Sequence, residues 1–359
     1  MRENVKYYQE DNYAQLVRTV DLKKDFTNND FVYVDEFAYD FLWRVQLKEP
    51  NIVLPNIGAN IGEKYYVSPE DLPKEKNVLG PNAILLRSKC NDTHFVYFRL
   101  STSSYDNEMK KLVGASGQPK FNKTDLKKVR LFMPSLKEQK KISHFLGLLD
   151  ERIATQNKII DKLQSLIKGI VDCTILRKEK NAIVGDVCSI SEQIRAEANI
   201  DDIITVRLHG NGVCKSSAEN LQLGATQYYR RRAGQLIYGK QNFHNGAIGI
   251  VPISLDNGIT SKDIPSFDID EMKCNSVYLL AQLQSPQYYK PAEALTTGTG
   301  SKRLKEETFL KMPIVLPNKR EQDNIAVLIH RASMNLDHAK RLLELLSIQK
   351  QFLLRQMFI

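Results

Sequence analysis

Basic and aromatic side chains cluster in one short run of this sequence. Tyr228 and Tyr229 precede Arg230, Arg231 and Arg232. Arginine side chains bind phosphates and form paired hydrogen bonds with guanine edges in the major groove of DNA. The run therefore predicts a nucleic-acid contact, and a solvated charge run at a turn is the alternative.

Two glycine-bearing loops precede further candidates for phosphate contacts. Lys302 and Arg303 follow the loop that begins at Gly298, and backbone amides in such a loop can approach a phosphate. Lys120 and Lys123 follow the matching loop in the first half of the chain. The remaining DNA-binding candidates are single polar side chains near turns, namely Lys64, Arg87, Lys89, Lys240 and Asn242.

Motifs that carry catalysis do not appear. The run GQLIYGKQ at 234–241 resembles a P-loop, but Gln241 stands where a Ser or Thr hydroxyl is needed for magnesium. The residues between its glycines are apolar and predict a strand. The chain has no Pro-Pro pair, which an amino-methyltransferase loop would need, and its six histidines show no metal-ligand spacing. We predict no catalytic residue and no metal site in this chain.

The elements that must position the DNA-binding candidates are indicated by an internal repeat. MPSLKEQKKI at 133–142 returns as LPNKREQDNI at 316–325, so that every position is displaced by 183 residues. Proline fixes the chain before a first helical turn, and glutamate in that turn complements the helix dipole. Each copy therefore predicts the start of a long helix, at Pro134 and at Pro317.

Apolar residues then recur at intervals of four and three, which is the seam of a coiled coil. The predicted seam comprises Ile142, Leu146, Leu149, Ile153, Gln156, Ile160 and Leu163, followed in the second copy by Ile325, Ile329, Leu336, Leu343, Leu346 and Leu353. Gln156 is predicted either to fix the register beside the small residues Ala332 and Ala339 or to be half exposed.

The repeat divides the chain into four segments with mixed α/β sequence patterns between the helices. They are residues 1–133, a first globular domain; 134–183, a helix and linker; 184–316, a second globular domain; and 317–359, a second helix. Each globular domain ends with a glycine loop, a short helix and a strand, and the aligned loop glycines are Gly117 and Gly300. The predicted fold class is α+β: two α/β domains separated by two long helices that form an antiparallel coiled coil with pseudo-twofold symmetry.

One asymmetry separates the two halves. The second half opens with VGDVCSI from Val184, about 20 residues before the predicted strand at 204–208, whereas the matching segment QLVRTVDL begins at Gln15. The first domain is therefore expected to lack its opening strand. A recombined or shortened reading frame, a misplaced start and a strand supplied from elsewhere are all open as explanations.

Composition is that of a folded protein large enough for two domains, with 359 residues of which 42% are hydrophobic. The net charge is +9, and the two helical segments hold 17 basic against 10 acidic residues, so most of the excess lies there. Five cysteines without a CxxC pair predict reduced, buried thiols. The absence of a membrane-spanning run or signal peptide predicts a cytoplasmic protein.

The ordered set of features resembles the specificity subunits of type I restriction-modification systems. The features are the Pro-x-x-x-Glu-Gln-x-x-Ile entries at Pro134 and Pro317, the duplicated helices, the glycine loops and the Arg-x-x-Asp-Leu element from Arg18 to Leu22. The resemblance covers nearly the whole chain.

This resemblance implies a non-catalytic subunit that reads the two halves of a split site in double-stranded DNA. It implies two modification subunits and ATP-dependent restriction subunits as partners, with S-adenosylmethionine, ATP and magnesium bound by those partners rather than by this chain. The paired helices would act as a ruler of roughly 60 Å, or about 17 base pairs. The alternative is a scaffold of the same architecture that binds modification subunits without reading DNA.

Overall fold

The computed structural model describes residues 5–57, 61–113, 120–216, 226–298 and 302–358. The chain divides into two compact units. The first unit comprises Met1–Gln156 and Leu342–Ile359, and the second comprises Asn157–Arg341. The two predicted loop glycines, Gly117 and Gly300, lie outside the described residues.

Two three-stranded sheets form the first unit, in the orders β2-β1-β5 and β4-β3-β6. Their strands are β1 (Ala14–Val17), β2 (Val32–Val34), β3 (Asn51–Pro55), β4 (Tyr65–Val67), β5 (Asn77–Leu79) and β6 (Ala83–Leu86). The helices are α1 (Thr19–Lys23), α2 (Glu36–Phe41), α3 (Thr93–Leu100), α4 (Ser103–Val113), α5 (Lys123–Leu126) and the first part of α6 (Leu136–Val171).

The second unit contains a larger sheet in the order β14-β13-β16-β8, together with smaller sheets β15-β12-β9, β10-β11 and β17-β7. Its strands are β7 (Ala182–Ile183), β8 (Cys188–Ile190), β9 (Arg195–Ala196), β10 (Ile204–Val206), β11 (Val213–Lys215), β12 (Tyr228–Arg230), β13 (Leu236–Tyr238), β14 (Ile248–Ile250), β15 (Ile259–Ser261), β16 (Ser266–Ile269) and β17 (Pro313–Ile314). Its helices are α7 (Ser276–Leu283), α8 (Pro286–Tyr289), α9 (Glu306–Leu310) and α10 (Lys319–Met357), the last of which continues into the first unit.

The sequence repeat is a repeat of structure. Adding 183 to the bounds of β4, β6 and α3 gives the bounds of β14, β16 and α7. The predicted mixed α+β fold class is confirmed. Strand β14 ends at Ile250, two residues before Pro252, which has no backbone N–H to donate to a sheet.

Aromatic side chains fill the core of the second unit. The rings of Tyr238, Phe267 and Phe309 lie within 5.7 Å of one another, centroid to centroid, and all three side chains are fully buried. Most of the buried apolar residues of the second unit form one large cluster, whereas those of the first unit form several smaller clusters. The second unit therefore has the more continuous core.

The long helices run antiparallel within each unit. In the first unit Lys350 of α10 forms an ion pair with Asp150 of α6 at 2.5 Å. In the second unit Lys178, just beyond α6, pairs with Glu321 in the first turn of α10. All thirteen predicted seam residues are buried or half-buried. The 39 residues of α10 correspond to a length of roughly 58 Å.

Two of the five thiols contradict the prediction of buried cysteines. Cys188 and Cys274 are buried, and burial raises the pKa of each thiol to about 12. Cys90 and Cys173 are exposed, because each lies on the outer surface of a turn or helix end. In the parts of the chain that the structure describes, no helix has the length and apolar character needed to cross a membrane.

Candidate nucleic-acid interface

In each unit a buried glutamine at the start of a long helix attaches that helix to the globular part of the unit. In the second unit Gln322 Oε1 accepts a hydrogen bond from the backbone N–H of Asn275 at 2.9 Å, and Gln322 Nε2 donates to the carbonyl of Pro317 at 2.8 Å. Asn275 is the N-cap of α7, so the glutamine connects the starts of two helices. Its side chain is 1% exposed.

The same hydrogen bonds recur in the first unit. Gln139 Oε1 accepts from the N–H of Asp92, the N-cap of α3, at 2.9 Å, and its Nε2 donates to the carbonyl of Pro134 at 2.8 Å. The Pro-x-x-x-Glu-Gln motif thus has a physical role that its sequence alone did not reveal. Proline supplies a free carbonyl and glutamine the matching donor and acceptor. We name this arrangement the glutamine clamp.

The sheet β14-β13-β16-β8 of the second unit and its counterpart β4-β3-β6 in the first unit each have one end beside the glutamine clamp and one end away from it. In the second unit β16 runs from Ser266, opposite Ile237, through Ile269 toward the clamp residue Asn275. Residues that follow β13, beginning with Gly239, therefore lie at the end away from the clamp. We call this the distal end, and the opposite end of the sheet the proximal end.

Hydrogen bonds join four loops at the distal end of the second unit. The loops are residues 207–212, 239–247, 262–265 and the described residues near 297–303. His209 N–H donates to the carbonyl of Asn245 at 2.7 Å, which connects the first two loops. Lys240 N–H donates to the carbonyl of Asp263, and its own carbonyl accepts from Leu304 N–H, both at 2.9 Å. We call this set the distal loops.

Glycine is required at the tightest point of these loops. Gly246 has a φ of +76°, and a Cβ atom there would lie 2.9 Å from the ring of Tyr289 and 3.0 Å from the backbone nitrogen of Gly210. Any other residue would push the two hairpins apart. This packing holds the loop backbones, and thus the exposed side chains that they carry, in one arrangement.

Exposed side chains on the distal loops are mostly cationic or amide. They are Arg207, His209, Asn211, Gln241, Asn242, Lys262, Lys302 and Arg303. Lys302 and Arg303 form exposed ion pairs with Glu293 at 3.1 Å and Asp263 at 3.3 Å. Such pairs contribute little stability in water, so both cations can exchange a carboxylate for a phosphate.

Sequence reasoning missed Arg207, Asn211 and Lys262 on this surface. The signal was present, since HGNG at 209–212 marks a turn between two strands and the strand pairing carries that turn to the distal end. The first unit has the equivalent distal connection: Phe121 N–H donates to the carbonyl of Asn56 at 3.2 Å. Exposed Lys120 and Lys123 flank it.

The proximal ends carry the other predicted candidates. Arg230 and Arg232 are exposed beside a hollow of about 370 Å³ that Glu192, Asp268 and Glu271 also line. Three carboxylates against two guanidinium groups make a poor surface for a polyanion.

In the first unit Arg87 lies at the proximal end of β6 and donates to the carbonyls of Arg44 at 3.1 Å and Gln46 at 2.5 Å. It also pairs with Glu49 at 3.1 Å. These contacts join the end of β6 to the segment that precedes β3, and they explain the position of Arg87 without any DNA contact. Exposed Lys89 follows it.

The prediction that Arg231 contacts DNA is wrong. Its side chain is 0% exposed and donates to Thr260 Oγ1 at 2.7 Å, Ser266 Oγ at 2.8 Å and the carbonyl of Ile264 at 2.9 Å. The alternation of side chains beyond β12 turns it inward. Burial lowers the pKa of the guanidinium to about 10, so it stays charged at neutral pH.

Two predicted lysines are also held within the fold. Lys64 pairs with Asp106 at 2.5 Å and Lys240 with Glu306 at 2.7 Å, and each lysine side chain is only 11% exposed. Both residues lie at distal ends, as expected for DNA-facing loops. Their ammonium groups, however, face the carboxylate of a neighbouring helix, so neither lysine is among the DNA contacts proposed below.

Comparison with known proteins finds similarity to specificity proteins of type I restriction-modification systems. Residues 7–165 match the family described as the type I restriction modification DNA specificity domain. The type I restriction enzyme MjaVIII specificity subunit of Methanocaldococcus jannaschii is 20% identical over 310 residues, which cover 78% of this chain and 71% of that protein. Both matches are to the family that the sequence motifs resemble, and the predicted resemblance is therefore confirmed.

Solved structures share the fold of nearly the whole chain. The S subunit of a type I restriction-modification system from M. genitalium has a TM-score of 0.60 at 14% identity, covering 88% of this chain and 84% of that one. A second chain, from a structure of complex assembly and conformational transition in a type I system, has a TM-score of 0.51 at 11% identity, covering 99% and 92%. The second half of this chain therefore has the fold of a specificity subunit as well.

Proposed function

We propose that this chain is the DNA-recognition subunit of a type I restriction-modification complex and that each unit reads one half of a split target. The observation that carries the proposal is the duplication. Residues 7–165 match a DNA specificity domain, and β14, β16 and α7 of the second unit repeat β4, β6 and α3 of that domain at a constant offset of 183 residues. Two copies of one reading domain suit two half-sites on one duplex.

The distal loops are the proposed reading surface. Arg303, Lys302 and Asn242 are exposed there, and they supply cations for phosphates and an amide that can pair with adenine edges. Arg207 and Lys262 extend the same surface. In the first unit Lys120 and Lys123 are the corresponding contacts. Lys89, Arg230 and Arg232 at the proximal ends are assigned at most phosphate contacts.

The long helices offer a surface for the modification subunits. Within the first unit a hollow of about 540 Å³ is lined by Phe145, Leu148 and Leu342, whose side chains are between 43% and 46% exposed. Contiguous exposed apolar side chains on a helix face are typical of protein contacts. Partner subunits that bind S-adenosylmethionine, or ATP and magnesium, would supply the chemistry, since this chain presents no catalytic motif.

The methylation pattern of cellular DNA tests the proposal. The chain is expressed with the modification subunit encoded beside it, and every methylated base is mapped. A split motif with a fixed gap is the expected result. Assembly of the complex without any methylated motif would contradict it.

A second function is favoured by one specific observation. Among the described residues the outer edge of β6 in the first unit has no partner strand, whereas its counterpart β16 pairs with β8. A first unit that is incomplete in this way suits a scaffold that does not read DNA at that end. A palindromic motif would then appear, read by the second unit of two chains.

A further inference from the structure

An apolar groove lies open in the first unit at a place where the second unit is filled. The groove has a volume of about 410 Å³, and its lining includes Ile52, Leu86, Val96, Leu126 and Leu131. The last four of these side chains are only half-buried. A cavity with this lining would expose apolar surface to water, which is unfavourable unless something covers it.

The residues at the same repeat positions in the second unit are shielded from water. Leu279, Phe309 and Ile314 correspond to Val96, Leu126 and Leu131 after the offset of 183, and each is 0% exposed. The clearest contrast lies in the next residue along the chain. Phe132 is 76% exposed, whereas its counterpart Val315 is 4% exposed.

Residues 182–190 provide the shielding in the second unit. Val184 and Val187 lie in the same buried cluster as Phe309 and Ile314. The segment also completes two sheets, since Ala182 pairs with Ile314 in β17 and Cys188 pairs with Ile269 in β16. We call residues 182–190 the closing segment.

The closing segment makes backbone hydrogen bonds in the second unit that have no counterpart at the groove of the first unit among the described residues. Val184 N–H donates to the carbonyl of Met312 at 2.9 Å, and the carbonyl of Val187 accepts from Asp270 N–H at 2.9 Å. The repeat positions in the first unit are Val129 and Arg87. No described residue pairs with the outer edge of β6 there. The first described residues cannot do so, because Tyr8 pairs with Tyr33 beside a different sheet.

We propose that the groove of the first unit receives an extended polypeptide segment that has the chemistry of the closing segment. Such a segment would add a strand to the edge of β6 and insert two apolar side chains, three residues apart, over Leu126 and Leu131. A glycine between them is favoured, because a Cβ atom on Gly185 would lie 3.1 Å from the carbonyl oxygen of Leu310. The assignment concerns a protein contact and does not depend on DNA reading.

A peptide tests this proposal on the full chain. The probe is residues 181–191, NAIVGDVCSIS, kept reduced and added at concentrations up to about 1 mM. Hydrogen exchange and fluorescence anisotropy measure binding. We expect saturable binding and at least tenfold slower exchange at the amides of Arg87 and Met133. A peptide with Val184→Asp and Val187→Asp should bind more than about tenfold more weakly, since it would bury two charges.

A pair of chain variants locates the binding site. Leu131→Asp in the groove should abolish peptide binding, whereas Leu136→Asp, at a residue that is 47% exposed and outside the groove, should bind as the parent chain does. Unchanged exchange at Phe98 shows that each variant is folded.

Three outcomes would overturn the proposal. The first is a folded chain that does not bind the peptide. The second is faster exchange at the amides of residues 182–190, which would mean that the peptide displaces the closing segment of the second unit. The third is an edge of β6 whose amides are already protected from exchange in the chain alone, since the groove would then need no added segment.

Discussion

The two units have the same architecture and differ in how completely they are closed. In the second unit the four-stranded sheet ends with β8, and the residues behind it reach 0% exposure. In the first unit the equivalent sheet ends with β6, and the equivalent residues are half-buried. The repeated sequence therefore specifies the shared strands and helices of the two units. The closing segment, which only the second unit has among the described residues, determines whether the core is shielded from water.

The largest expected difference concerns the cores of the two units. Phe309→Ala should lower the free energy of unfolding of the second unit by about 3–5 kcal/mol, because the side chain is fully buried among aromatic rings. Leu126 is the repeat counterpart of Phe309 and is only half-buried in the groove. Leu126→Ala should therefore lower the free energy of unfolding of the first unit by only about 1 kcal/mol. Native-state hydrogen exchange measures each unit separately. Equal losses would contradict the contrast between sealed and open cores.

The next effect separates two adjacent arginines of the second unit. Arg231→Met should cost about 2–4 kcal/mol, because Thr260, Ser266 and the Ile264 carbonyl lose a buried donor. Arg230→Met should change stability by less than about 0.5 kcal/mol, because the side chain is exposed. Urea unfolding of both variants compares them. Similar stabilities would show that Arg231 is not the internal support described above.

The glutamine clamp should have nearly equal strength in the two units, because its hydrogen bonds are duplicated. Gln322→Leu and Gln139→Leu each leave a buried N-cap amide and a proline carbonyl unpaired, at a cost of about 1–3 kcal/mol. Exchange at the first turns of α7 and α3 should accelerate to a similar extent. An effect confined to one unit would show that the two attachments are not equivalent.

The smallest expected effect concerns an exposed ion pair. Lys302→Ala should change the free energy of unfolding by less than about 0.5 kcal/mol, because its pair with Glu293 is exposed on both sides. Lys240→Ala should cost more, about 1–2 kcal/mol, since Lys240 is 11% exposed and leaves Glu306 without its partner. Thermal unfolding distinguishes them, and a reversed order would move Lys240 back to the candidate DNA contacts.

Much of the fold could be predicted from the sequence because repetition is visible without tertiary information. The offset of 183, taken from the two Pro-x-x-x-Glu-Gln entries, also relates β6 to β16 and α3 to α7. The heptad spacing likewise indicated the long helices. The glutamine of the motif had no predicted role, because its partners, Asp92 and Asn275, are 47 residues away.

The site was harder to predict because charge alone does not say which way a side chain points. Arg231 lies in the densest basic run of the chain and is nevertheless fully buried. Lys64 and Lys240 lie on the expected loops but pair with carboxylates brought close by tertiary packing. Arg207 and Lys262, far apart in sequence, approach the same end only through strand pairing.

Half-site protection by two matched variants tests the central claim, that the distal loops read DNA. Arg303→Ala at the distal end and Arg232→Ala at the proximal end of the second unit are assembled with the modification subunits, and their footprints on the mapped target are compared. We predict that Arg303→Ala weakens binding by about tenfold and loses protection of one half-site only, while Arg232→Ala protects both. Loss of protection with Arg232→Ala but not with Arg303→Ala would contradict the account.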